Sequence, residues 1–342
     1  MTAREISDAQ RPAVFLSNRV FPEVIAFLES VARVISNPSV EPFSRAEFVA
    51  KASGASALMV FMNDSLDAQT LDQCPRLRIV AAALKGCDNF DVAACTARGV
   101  WFTIVPDLLT IPTAELAIAL ALGLSRKVLD GDRIVRSGKF AGWRPELYGT
   151  GLSGRTAGIV GMGELGRALA RRLQAFGMDI LYVDPVALPR VVEQELGASP
   201  VDLAGAFAKS DFVFSLLPLS PQTTHLIDAS LLARMKSGAF LINVGRGSVV
   251  DEQAIASALG SGKLGGYAAD VFEMEDWNRA GRPAFVHPAL LAQAGKTLFT
   301  PHLGSAVADA RLEIEMRAAR NIAEALVGHR PPDAINEPRR TS

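Results

Sequence analysis

Short apolar runs of four or five residues recur along this chain, separated by stretches in which apolar residues fall three and four apart. The first pattern suits strands buried on both faces, and the second suits the helices that cover them. In the first third, residues 13–16, 57–61, 78–82 and 101–105 read as strands. Between the first two, Val24, Ile25, Leu28, Val31 and Ile35 keep helical spacing and predict a helix over 22–35. Pro112 opens a longer helix to about Val135, with proline tolerated in the first turn and Glu115 suited to the positive end of the helix dipole. A stretch rich in Gly, Trp and Pro interrupts the pattern over 137–152. The alternation then becomes denser, with strands at 157–160, 180–183, 212–216, 239–243, 267–270 and 297–300. Helices are expected at 165–176 and 306–327. The whole predicts an α/β fold with parallel sheets wrapped by helices.

At 342 residues the chain exceeds what one core usually holds, so two domains are expected. Its 49% hydrophobic content is too apolar for a disordered chain. With 35 basic and 36 acidic residues, a net charge of -1 gives no general attraction to nucleic acid or an anionic membrane. Any anion selectivity must come from a local cluster. The most apolar run, 116–124, spans about half of the ~20 residues a membrane helix needs and predicts a buried helix. Cys74, Cys87 and Cys95 are odd in number and lack CxxC spacing, so reduced cytoplasmic thiols are expected, with neither a disulfide framework nor a metal site. Residues 1–10 lack the apolar core of a secretory signal, and the polar stretch 330–342 is expected to fray.

The strongest motif is Gly161-Met162-Gly163-Glu164-Leu165-Gly166, a G-x-G-x-x-G between a strand and a helix. In that context the first glycine permits the turn, the second lets backbone approach a pyrophosphate, and the third allows close helix packing. The alternation over about 113–301 is accordingly read as one nucleotide-binding domain. Asp184 ends the next strand, eighteen residues past Gly166. A carboxylate there suits adenosine ribose hydroxyls and repels a 2′-phosphate, and Pro185-Val186-Ala187 adds no cation. NAD rather than NADP is expected; the plainer alternative is an aspartate that only closes its own turn.

Arg246, Glu275 and His302 each follow a predicted strand, at the carboxyl edge where open α/β sheets bind ligands. A histidine beside a carboxylate suits proton transfer, and an arginine fork suits an anionic substrate. His225, His287 and His329 read as surface or loop residues.

These segments, Gly161–Gly166 with Asp184, Asn243–Asp251, Asp270–Glu275 and Thr300–Gly304, resemble the signature set of the D-2-hydroxyacid dehydrogenase family over nearly the whole chain. The resemblance implies two Rossmann-like domains with parallel sheets. The cofactor domain, 111–301, is inserted into a discontinuous substrate domain, 1–110 and 302–342. It implies a catalytic set of His302, Glu275 and Arg246, and a homodimer formed largely through the cofactor domain. It also implies that Thr113, Gly161, Gly163, Glu164, Leu165, Gly166, Asp184, Leu217, Pro218, Val244, Gly245, Arg246, Asp270 and His302 face the cofactor.

Within the family, Ala83-Leu84-Lys85-Gly86-Cys87-Asp88-Asn89-Phe90-Asp91, Gly142-Trp143-Arg144-Pro145-Glu146-Leu147-Tyr148-Gly149 and Asp270-Val271-Phe272-Glu273-Met274-Glu275-Asp276-Trp277 are similar to the phosphite-oxidising members. That likeness implies oxidation of phosphite to phosphate, with hydride passing to NAD. Lys85, Gly86, Arg246, Arg311, Met62 and Ser305 would touch the substrate, and Trp143 and Tyr148 would reach a neighbouring subunit. A phosphite dianion is better held by two cations than by one, which suits Lys85 with Arg311; the plainer alternative makes Lys85 a solvated loop residue. Val244-Gly245 and Cys87 depart from the phosphite pattern, the first pair matching general hydroxyacid enzymes. The alternatives are a D-2-hydroxyacid or glyoxylate/hydroxypyruvate reductase, and a non-enzymatic NAD-sensing scaffold like the family's corepressors.

Overall fold

A computed structural model describes residues 11–338. The chain divides into two units, one running to Leu109 and resuming at Val307, the other spanning Thr110–Ala306.

The first unit comprises β1 (Ala13–Leu16), α1 (Pro22–Glu29), β2 (Arg33–Ile35), α2 (Arg45–Ala52), β3 (Ala57–Val60), α3 (Ala68–Asp72), β4 (Ile79–Ala82), α4 (Val92–Ala97) and β5 (Trp101–Thr103). The second comprises α5 (Thr110–Ser125), α6 (Val128–Arg136), β6 (Thr156–Val160), α7 (Glu164–Ala175), β7 (Asp179–Val183), α8 (Arg190–Leu196), β8 (Ala198–Pro200), α9 (Leu203–Lys209) and β9 (Phe212–Ser215). It continues through α10 (Ala229–Leu232), β10 (Ala239–Asn243), α11 (Glu252–Gly260), β11 (Leu264–Ala269), α12 (Pro288–Leu291) and β12 (Thr297–Phe299). The last helix, α13 (Ala308–Leu326), returns to the first unit.

Both sheets are parallel. The first has the order β2-β1-β3-β4-β5. Strands β1, β3 and β4 are buried at every position, because helices cover both faces. Helix α13 packs on one face with Ile314, Ala318, Ala319 and Ile322 fully buried against Val14, Met59 and Ile79. The second sheet runs β12-β11-β10-β9-β6-β7-β8, so the chain reverses its direction of travel across the sheet between β6 and β9. Helix α5 buries Ala114, Ala117, Ile118, Leu120, Ala121 and Leu124 beside that sheet. This is the apolar run expected to be a buried helix, and no helix among the described residues is long and apolar enough to cross a membrane.

Three expectations need correcting. The helix predicted over 22–35 stops at Glu29, and Arg33–Ile35 is instead an edge strand paired with β1. The β-branched pair Val34-Ile35 gains ladder hydrogen bonds there, beginning with Arg33 N–H to the Pro12 carbonyl at 2.9 Å. The long helix over 112–135 is two helices, broken where Lys127 takes a left-handed φ of 54°. The C-terminal stretch is anchored as far as it is described. Asn336 is buried, accepts from Phe102 N–H at 2.7 Å and donates to the Val100 carbonyl at 2.9 Å. Residues 1–10 and 339–342, on which the signal-peptide and fraying expectations also fall, lie outside the described residues.

Candidate active site

In the second unit the glycine loop leaves β6 at the sheet's reversal point. Gly161 has a φ of 101°, closed to most side chains. A Cβ on Gly166 would lie 2.3 Å from the Gly161 carbonyl, so α7 needs glycine to pack on the loop. A Cβ on Gly163 would meet nothing within 4 Å, leaving its backbone open to a ligand at the N-terminus of α7. The loop therefore fits a dinucleotide pyrophosphate. Asp184 accepts from Met162 N–H at 2.8 Å through one oxygen and from Val186 N–H at 2.9 Å through the other. It thus fixes the loop as well as its own turn, and each oxygen retains a lone pair for a ribose hydroxyl. Around the same reversal point, Leu217 is half-buried and Pro218 exposed after β9, and Thr113 is half-buried in the first turn of α5.

Arg246, Glu275 and His302 follow β10, β11 and β12 in turn, at one edge of this sheet. The structure brings His302 and Glu275 together, with Nδ1 and Oε2 2.7 Å apart. The other Glu275 oxygen accepts from Phe272 N–H at 2.8 Å, so the carboxylate is oriented from behind. With Nδ1 engaged, Nε2 is the ring atom left for proton transfer. His302 holds a left-handed φ of 57°, rare for a side-chain-bearing residue. What maintains it is Asp270, buried at the end of β11. Its carboxylate accepts from Thr300 Oγ1 at 2.5 Å, Leu303 N–H at 2.7 Å and Gly304 N–H at 2.8 Å, while its carbonyl accepts from His302 N–H at 2.9 Å. Burial pushes the Asp270 carboxyl up, and these hydrogen bonds and His302 draw it back. These bonds also tie 302–304 to the second unit, which runs on to Ala306 rather than ending at 301. Ser305 is buried just beyond them.

Arg246 extends from a tight turn. Asn243 Nδ2 donates to the Arg246 carbonyl at 3.0 Å, and Arg246 Nη1 donates to the Gly245 carbonyl at 2.9 Å. Val244 is buried, and a Cβ on Gly245 would lie 2.6 Å from the Leu217 carbonyl. The departure at Gly245 therefore has a local reason: a bulkier residue would force the loops after β9 and β10 apart.

In the first unit, Met62, Lys85 and Arg311 gather around one sheet edge. Lys85 is exposed just past β4, with Gly86 half-buried after it. Arg311, near the start of α13, donates to the Ala83 carbonyl at 3.1 Å and to Glu315 Oε1 at 3.2 Å, over the Phe61 ring at 5.7 Å. Glu315 is buried, which pushes its carboxyl up, and it also accepts from Phe21 N–H at 3.1 Å. Glu315 thus compensates the Arg311 charge from below. Sequence reasoning missed Glu315, although its i,i+4 spacing from Arg311 was a signal. It also missed buried Asp64, which takes hydrogen bonds from Ser17 Oγ and Phe61 N–H and so pins the turn carrying half-buried Met62. Burial pushes that carboxyl up to about 6. Cys87 is partly exposed, while Cys74 and Cys95 are buried; burial raises both buried thiols, Cys95 to about 12, making them unreactive. Trp143 and Tyr148 stand 81% and 74% exposed.

The model for the NAD-binding domain of D-isomer specific 2-hydroxyacid dehydrogenases matches residues 118–304. A glyoxylate reductase of Aeropyrum pernix is 38% identical over 332 residues, covering 96% of both chains. One from Thermococcus litoralis is 35% identical over 334 residues, covering 96% of this chain and 97% of its own. Among solved structures, a Thermus thermophilus protein superposes with a TM-score of 0.85 at 32% identity, over 94% of this chain and 99% of that one. A glyoxylate reductase from Paecilomyes thermophila gives 0.81 at 27% identity, over 95% and 98%.

Proposed function

We propose a function from one premise: the chain belongs to the D-isomer specific 2-hydroxyacid dehydrogenase family. It is an NAD-dependent oxidoreductase of that family. Its substrate is a small anion, and the reading its relatives' names support is reduction of glyoxylate or a similar 2-oxo acid. The observation carrying this reading is the 2.7 Å contact between His302 and Glu275.

Bound NAD would supply or accept the hydride, held by the Gly161–Gly166 loop with Asp184 at the adenosine ribose. His302 Nε2 gives a proton to the carbonyl oxygen in reduction and takes it from the hydroxyl in oxidation. Glu275 fixes the tautomer and stabilises the imidazolium. Arg246 holds the substrate carboxylate through its fork. Replacing Asp184 with alanine should lower the ratio of kcat/KM for NAD over NADP by about tenfold or more. Because Asp184 also braces the glycine loop, the ratio rather than either absolute rate is the decisive readout.

A second reading, phosphite oxidation, is favoured by Lys85 within its Ala83–Asp91 string and by the bond from Arg311 to the Ala83 carbonyl. Phosphite, NAD and water would give phosphate, NADH and a proton. The P–H bond yields hydride to the nicotinamide, and a water oxygen bonds to phosphorus. A panel assay separates the readings: NADH consumed with glyoxylate or hydroxypyruvate, against NADH formed with phosphite. Turnover of none of them supports the NAD-sensing scaffold. Under the phosphite reading, Lys85→Ala raises KM for phosphite roughly 10- to 100-fold, the loss of a charge-assisted contact, and leaves KM for NAD nearly unchanged. Equal effects on both would return Lys85 to a solvated loop.

The assembly we propose is a homodimer. Helix α6 buries none of its residues and exposes Val128, Leu129 and Val135. The arm beyond it exposes Phe140, Trp143 and Tyr148 before Thr150 N–H rejoins the Ser125 carbonyl at 2.9 Å. So many large apolar groups on one projecting segment suit a second copy of the chain rather than solvent.

A further inference from the structure

Behind the His302–Glu275 pair lies a charged cluster centred on Glu273. Glu273 is buried, two residues before Glu275. Its Oε1 accepts from Glu252 N–H at 3.1 Å, and its own N–H donates to Glu252 Oε1 at 3.0 Å, a reciprocal tie to the N-terminus of α11. Its Oε2 accepts from Arg279 Nη1 and lies 3.0 Å from His225 Nε2. Arg279 also reaches Ser248 Oγ at 3.3 Å. The backbone of Ser248, two residues past Arg246, donates to buried Asp276 Oδ2 at 2.7 Å, and its carbonyl accepts from His225 N–H at 2.7 Å. The turn after β10 and the turn after β11 are therefore stitched together on both sides of Glu273.

Such a cluster is costly unless every member is paired, and breaking one partner strands buried charge. Burial already pushes the Glu252 carboxyl up, with Glu273 adding to it. Arg279 and His225 face this pair of acids, and His287 N–H donates to Glu252 Oε2 at 3.0 Å. A surface network would not need this arrangement, yet it sits directly beneath the residue that must meet His302 within 2.7 Å.

We infer that Glu273 is a positioning residue: it holds the Glu275 turn in register with the Arg246 turn, so that Glu275 reaches His302. This rests on the His302–Glu275 pair having the role proposed above, but not on the identity of the substrate. The test is Glu273→Gln, which keeps the shape and removes the charge. The readout is the ring N–H proton of His302 in the NMR spectrum, assigned by its loss in His302→Asn. That proton is expected to be sharp in the native protein and broadened by exchange with water in Glu273→Gln. In glyoxylate reduction, or in phosphite oxidation if that is the reaction found, kcat should fall about 10- to 100-fold, the effect of a misplaced catalytic group. The double variant with Glu275→Gln should be no slower than Glu275→Gln alone.

A sharp, unshifted ring proton in Glu273→Gln would overturn the inference, as would losses in kcat that multiply in the double variant. If Glu273→Gln does not fold, Arg279→Gln carries the same tests, since it frees one Glu273 oxygen and spares the ties to Glu252. A chain that turns over no substrate would defeat the proposed function while leaving the NMR result to judge Glu273.

Discussion

His302→Asn should bind NAD as the native protein does and lose at least about 10³-fold in kcat, the upper range for removing a positioned acid or base. Asparagine is the informative replacement. His302 sits at a φ of 57°, and asparagine tolerates that region better than most residues, so the turn held by Asp270 should survive. The amide can still meet Glu275 but cannot carry a proton. Steady-state assays with glyoxylate and with phosphite, beside NADH titrations followed by fluorescence, separate the two effects. Turnover within tenfold of native would remove His302 from its role. Loss of NADH binding would instead point to a collapsed turn.

The α/β class was legible because parallel strands buried on both faces leave unmistakable apolar runs. Every strand expected between 157 and 300 exists, with no end moved by more than three residues. The helix expected over 22–35 failed for a tertiary reason. Val31 to Ile35 keeps helical spacing, but an open edge beside β1 gives those β-branched residues a better partner. Tertiary pairing overrides local periodicity there.

At the site, strand ends identified His302, Glu275 and Arg246 as candidates, because the glycine motif had already oriented the sheet. Sequence could not separate the two acids in Glu273-Met274-Glu275. Only packing shows that one faces His302 and the other is walled in by Glu252, Arg279 and His225. His225, expected on a surface or loop, does lie on a loop yet belongs to that network at a φ of 50°. The compensation of Arg311 by Glu315 was equally hidden, since an i,i+4 pair on a helix is usually a solvated one.

Gly247→Ala should be among the most damaging single-methyl changes in the second unit. A Cβ there would lie 1.9 Å from the Phe272 carbonyl carbon and 2.3 Å from Glu273 N. Both obstacles are backbone, so no side chain can swing aside; the turns after β10 and β11 must separate. Overpacking with backbone displacement costs roughly 3 kcal/mol or more. At about 2–4 °C per kcal/mol for a unit of this size, Tm should fall by roughly 6–12 °C. The turns that separate carry Arg246 and Glu275, so kcat should drop even at temperatures where the protein stays folded. Gly260→Ala is the matched control: it is the exposed last residue of α11, where an added Cβ meets nothing within 4 Å. Reduced backbone entropy in the unfolded chain should leave that variant as stable as native or up to about 1 kcal/mol more so. Calorimetry on the two variants compares one added methyl in two settings. A Gly247→Ala protein melting within 2 °C of its Gly260→Ala counterpart would mean that the two turns do not pack as closely as described, and Glu273 would lose its positioning role with them.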